Sequence, residues 1–124
     1  MISSSFQAKS IRTFIGAKDY KLSKNFYRDL GFKEIEIEEK MTLFEVNENL
    51  GFYLQDYYAK EWVDNSMVFL ELDDIEKFES ELLSKNLKEK YQEAKISEIK
   101  DFDWGRVLFV HDPAGVLWQI GQFV

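Results

Sequence analysis

At 124 residues and 14.7 kDa, the chain has room for one domain, long enough to bury a core without disulfide or metal support. With 45% hydrophobic and 31% charged residues it is not a disordered chain, and with no run of eighteen apolar residues it offers no membrane-spanning helix. A net charge of −7 argues against nucleic acid as a partner, because phosphate binding needs a surplus of Lys and Arg; the acidity serves solubility or favours a cationic ligand.

The chain has no cysteine, which removes disulfides, thiolate ligands and a cysteine nucleophile, and fits a reducing compartment. The opening MISSSFQAKS lacks the basic start and apolar stretch of a secretion signal, so the expected location is cytoplasmic. Three Trp, six Tyr and eleven Phe exceed what a core of this size needs. Some of these rings are expected to line a cavity.

An apolar strand is predicted from Ser10 to Ala17. Asp19 can cap the helix that follows, where Leu22, Phe26 and Leu30 recur every four residues with Tyr27 alongside. Gly31 suits the left-handed exit from that helix. Three strands are predicted near residues 32–38, 41–46 and 50–57. In the first of these, Ile35 and Ile37 occupy one face and Glu34, Glu36 and Glu38 the other, the acidic face being read as solvated.

The plan then repeats. A strand from Met67 to Leu72 leads into Asp73-Asp74, a cap for a second helix that carries Ile75, Phe78, Leu82 and Leu83 and ends near Asn86. Strands follow near residues 94–99, 105–110 and 115–122, the last two joined by the turn Asp112-Pro113-Ala114-Gly115. The fold class is therefore α+β: two tandem βαβββ modules, about 8–58 and 65–124, forming curved mixed sheets around a cleft in one domain. The competing ferredoxin-like βαββαβ plait leaves one strand per half unexplained.

Two stretches resemble the vicinal oxygen chelate superfamily, which includes glyoxalases, dioxygenases and bleomycin-resistance proteins. One runs from Asp19 through Ser23, Phe26-Tyr27 and Leu30-Gly31-Phe32; the other is Trp104-Gly105-Arg106 with Phe109 and Asp112-Pro113-Ala114-Gly115-Val116-Leu117-Trp118. The two occur in the family's order, about 85 residues apart. The resemblance implies a homodimer. For the metalloenzymes of that family it implies a divalent ion held by two His and one or two Glu from the first, fourth, fifth and eighth strands. Matched by motif, those positions fall here on Arg12, on Tyr53 to Gln55, near Met67 and on Gln119. None supplies the usual ligand. With a single histidine, His111, the chain cannot form a two-His site, and a symmetric dimer with two equivalent sites still has one His per site. No metal or other cofactor is expected; an all-oxygen Mg²⁺ or Ca²⁺ site is not excluded by counting.

His111 is either a general base or, beside the Asp-Pro turn, a structural residue, and the structural reading is preferred. Arg12, in an apolar strand, either pairs with a carboxylate, binds an anionic ligand group, or reaches water at the strand edge. Phe14 shares its face, and Phe69 shares the face of Met67. Trp62 and Trp104 sit near strand ends, where indoles flank pockets or pack interfaces. Trp118 should point away from the cleft, leaving Gln119 inside it. The candidate ligand-binding set is thus Arg12, Phe14, Tyr53, Gln55, Trp62, Met67, Phe69, Trp104, Arg106 and Gln119, with no catalytic residue assigned.

The function these observations favour is a small-molecule-binding protein of the bleomycin-resistance type. It would sequester a planar or cationic antibiotic or metabolite between aromatic walls, without metal. The alternative is an enzyme: a glyoxalase-like lyase or dioxygenase relative with unorthodox ligands, or metal-free acid–base chemistry with His111, Glu71 or tyrosines. A third possibility is an interaction protein whose cleft is filled by its own side chains.

Overall fold

A computed structural model describes residues 5–124. Its first sheet is built from β1 (Phe14–Gly16), β2 (Lys33–Glu38), β3 (Met41–Asn47) and β4 (Leu50–Gln55), in spatial order β1-β4-β3-β2. β1 runs parallel to β4, and the other pairs are antiparallel. Helix α1 (Tyr20–Leu30) connects β1 to β2. Short helix α2 (Lys60–Asp64) leads to the second sheet, where β5 (Met67–Glu71) is parallel to β9 (Leu117–Phe123), and β9 is antiparallel to β8 (Gly105–His111). Helix α3 (Ile75–Ser84) and one-turn α4 (Leu87–Lys90) cross over to β6 (Lys95–Ile96) and β7 (Lys100–Phe102), both paired with β8. Each half is one βαβββ unit of the same strand order.

Local chemistry accounts for most boundaries. Asp19 accepts the backbone N–H of Leu22 at 3.1 Å, and Asp74 accepts that of Lys77 at 3.1 Å, so both main helices start on an aspartate cap. Gly31 leaves α1 at φ 107°, where an L side chain would be strained. The Asp112–Gly115 turn closes with Gly115 at φ 110°.

Three differences from the sequence expectation have physical reasons. β1 is three residues long rather than eight. Its ladder on β4 begins only with Phe14 opposite Tyr53, two residues past Gly51, which lies beside the register shift of the β3–β4 pair between Glu45 and Asn47. Of the strand expected at 94–99 only Lys95–Ile96 forms and an unexpected strand follows at Lys100–Phe102, because the Phe109 N–H is taken by the Ser97 hydroxyl at 2.9 Å and the register on β8 slips by one residue before Lys100. The acidic stripe of β2 is only partly solvated. Glu34 turns under α1, where Arg28 at 2.6 Å and Lys24 at 3.7 Å neutralise it, while Glu36 and Glu38 are exposed.

The core lies between the sheets and the helices. Ile15, Phe44, Phe52 and Leu54 from the first sheet, and Leu108, Val110, Trp118 and Ile120 from the second, pack against Phe26, Tyr27, Leu30, Ile75 and Leu82. Burial of these apolar side chains is the main stabilising term. Tyr27 sits at the junction of the two halves. Its ring lies 4.9 Å from Phe52 and 5.7 Å from Trp118, centroid to centroid. Its hydroxyl donates to Asp112 Oδ2 and accepts from Trp118 Nε1 at 2.9 Å. Asp112 Oδ1 accepts the backbone N–H groups of Ala114, Gly115 and Val116, each at 2.9 Å. Burial pushes the Tyr27 hydroxyl well above its usual range, and the Asp112 carboxylate adds to that. One buried network thus fastens the last turn to the first helix.

Candidate functional site

Strand alternation leaves each sheet with a second face, turned away from this core. On the first sheet it carries Phe14, Ile35, Ile37, Leu43, Tyr53 and Gln55. Phe14 and Tyr53 stack, with centroids 5.0 Å apart. The Arg12 guanidinium lies over the Tyr53 ring, 5.7 Å from its centroid, and Nη1 donates to the Tyr53 hydroxyl at 3.2 Å. Arg12, Phe14 and Tyr53 therefore form one constellation, with Gln55 two residues along the same strand face.

On the second sheet the corresponding face carries Met67, Phe69, Phe109, Leu117, Gln119 and Phe123. The Gln119 amide lies 3.0 Å from the Met67 sulfur. Phe69, Trp104 and Phe123 make an aromatic cluster with centroids 5.4 to 6.3 Å apart, and Phe102 stacks on Trp104 at 5.7 Å. Gly121 makes room for this cluster: a Cβ there would sit 2.5 Å from the Phe69 ring. Trp118 points the other way, into the core.

Two residues of the expected set stand apart. Arg106 shares its strand face with Leu108 and Val110, not with Gln119. It pairs with Glu76 and Asp101 at 2.9 Å and edges a groove of about 660 Å³ between α3, α4 and β6–β7. Trp62, on α2, packs against Tyr57 at 5.9 Å and fills the space beside Gly16, away from either aromatic group. Strand alternation puts Arg106 on the face opposite Gln119, and helix α2 carries Trp62 to the side of Gly16.

The two open faces are not closed over each other within one chain. No aromatic pair joins them among the described residues, and their rings remain accessible: Phe14 is 44% exposed, Met67 61% and Phe69 43%. A cavity of about 830 Å³, which the sequence did not signal, opens at the edge of β5 and is walled by Val46, Phe52, Val68, Leu70, Ile11 and Thr13. Of the expected set only Phe69 reaches it.

The positions matched to metal ligands, Arg12, Tyr53 to Gln55, Met67 and Gln119, present a guanidinium, a phenol, an amide, a thioether and a second amide. This donor set does not fit a hard divalent ion. Among the described residues no three His, Asp or Glu side chains converge elsewhere. His111 and Glu71 share the open face of the second sheet but face Leu117 and Gly121, four residues apart on β9 and so about 13 Å along it. They cannot act together on one bond.

The architecture is shared by solved structures. A bleomycin-binding protein in complex with bleomycin superposes with a TM-score of 0.76 at 18% identity, over 94% of this chain and 100% of that one. The chain has the fold of the vicinal oxygen chelate superfamily. A glyoxalase/bleomycin-resistance protein from Catenulispora acidiphila gives a TM-score of 0.77 at 15% identity, over 94% and 100% of the two chains. A lactoylglutathione lyase from Agrobacterium tumefaciens gives 0.65 at 14%, over 94% and 95%. No family model matches the sequence, and no curated protein sequence does. This fold carries both binders and an enzyme, so it does not choose between them. Among the described residues no helix is long and apolar enough to cross a membrane.

Proposed function

We propose that the protein is a small-molecule-binding module that holds a planar ligand between aromatic walls without metal, and that two copies complete the cleft. The observation that carries this reading is the pair of open sheet faces, one built on Phe14 and Tyr53 and the other on Met67, Phe69, Trp104 and Phe123. Exposed aromatic area of this kind marks a binding surface. A second copy placed across it would turn two open faces into an enclosed cleft, with polar Gln55 and Gln119 to orient what enters. The donor set at the family's metal positions supports the metal-free part of the proposal. The bleomycin-binding protein of the same fold supports the small-molecule part.

The test is a thermal-shift screen of planar antibiotics and aromatic metabolites, each run with EDTA and with added Ni²⁺, Mn²⁺, Fe²⁺ or Zn²⁺. A ligand at a hundredfold excess over its Kd should stabilise the fold by about 2.7 kcal/mol. The shift should be the same under every metal condition. Ligand binding that appears only with a metal, or turnover that requires one, would contradict the proposal.

A further inference from the structure

The chain has three arginines, and two are neutralised by acids. Arg28 Nε and Nη2 donate side by side to Glu34 at 2.8 and 2.6 Å. Arg106 donates to Asp101 and Glu76, both at 2.9 Å. Arg12 differs on each count. Among the described residues no carboxylate lies within ion-pair distance of it. Glu45 shares the face, two strands across, and is not within reach. Among the described residues the only hydrogen bond of the guanidinium is to the Tyr53 hydroxyl, and the buried Nε has no acceptor. In a chain with 23 acidic and 16 basic residues, a cation with no acid beside it among the described residues, lying over the Tyr53 ring, is out of keeping with its surroundings.

We propose that Arg12 and Tyr53 form an oxyanion subsite at one end of the cleft, and that the ligand is a planar aromatic molecule bearing a carboxylate. This rests on the cleft reading above and narrows its ligand from planar to planar and anionic. The Tyr53 oxygen accepts from Arg12 Nη1, so its own O–H is free to donate. The guanidinium adds its remaining Nη hydrogens. The Nη1–Nη2 end of the guanidinium offers a carboxylate a planar pair of donors. The Phe14–Tyr53 stack beneath supplies the apolar platform for the ring. An ammonium in the same place meets a fixed positive charge and is rejected.

The experiment is calorimetric titration of the full chain at pH 7 with naphthalene-2-carboxylate, naphthalene-2-carboxamide and 2-(aminomethyl)naphthalene. The carboxylate should bind at least tenfold tighter than the amide, and the ammonium most weakly. Arg12→Gln should bring the carboxylate down to the affinity of the amide and leave the amide unchanged. Arg12→Lys should restore part of the preference, since an ammonium lacks the planar fork. Tyr53→Phe, which keeps the ring, tests the hydroxyl and serves should Arg12→Gln fail to fold. Equal binding of amide and carboxylate, or a carboxylate preference that survives Arg12→Gln, overturns the subsite and leaves the cleft standing. Failure of all three probes to bind removes the cleft and the subsite with it. If Arg12→Gln shifts the dissociation of the two copies tenfold without touching the carboxylate preference, Arg12 belongs to the contact between copies, and the proposal falls.

Discussion

Replacing Asp112 by Ala is expected to cost about 3–5 kcal/mol, the largest loss from any single polar substitution in the chain. Four donors converge on this carboxylate: the Tyr27 hydroxyl and the backbone N–H groups of Ala114, Gly115 and Val116. Asp112 and Tyr27 are fully buried, so water cannot take over when the acceptor is removed. Thermal unfolding should fall by about 10–20 °C. Asp112→Asn separates the donors. Its oxygen can still accept the three backbone N–H groups, but its amide faces the Tyr27 hydroxyl, whose proton then has no acceptor. A smaller loss of about 1–2 kcal/mol is expected. Equal losses for Ala and Asn would mean that the charge, and not the set of hydrogen bonds, holds the turn to the helix.

The second large effect is alkaline. Tyr27 and Tyr91 both have hydroxyl pKa values raised by burial, with Asp112 and Asp29 respectively adding to the shift. A folded pKa above the unfolded value means that the native state keeps its proton where the unfolded chain loses it. The stability from these groups is complete below the unfolded value of about 10 and is lost as pH rises beyond it. Each tyrosine then contributes a slope of up to about 1.4 kcal/mol per pH unit. Urea denaturation of the wild type between pH 9 and 12 should show this decline. Tyr27→Phe and Tyr91→Phe should each flatten it, although each lowers stability at neutral pH by losing its hydrogen bond to Asp112 or Asp29. An unchanged slope in both variants would show that other groups drive alkaline unfolding.

The two helices and their caps were legible because the signals are local: an aspartate three residues before a free N–H, an apolar stripe every fourth residue, a glycine at the exit. The direction of Trp118 and Gln119 was legible for the same reason, since alternation along one strand fixes both. The split between β6 and β7 was not, because it turns on the Ser97 hydroxyl meeting a backbone N–H twelve residues away. Glu34 shows the same limit. Alternation separates it from Ile35, but only the placing of α1 decides that its face is covered.

At the site, sequence parity put Phe14 on the face of Arg12 and Phe69 on that of Met67, whereas the contacts of Arg12 and Met67 run to Tyr53 and Gln119 on neighbouring strands. It missed Phe102, two residues before Trp104, and Phe123, which joins Trp104 only through the pairing of β8 with β9. Arg106, included in the expected set, lies on the strand face opposite Gln119. The absence of a carboxylate beside Arg12 could only come from the fold. The single histidine, by contrast, was decisive from composition alone.

Native mass spectrometry of protein purified without chelators, with and without a planar ligand identified by thermal shift, tests the central claim most directly. The account predicts a species at twice 14.7 kDa with no metal adduct, which gains the mass of the ligand alone. One ion bound per chain and required for ligand binding, or a monomer that takes up ligand unaided, would contradict it.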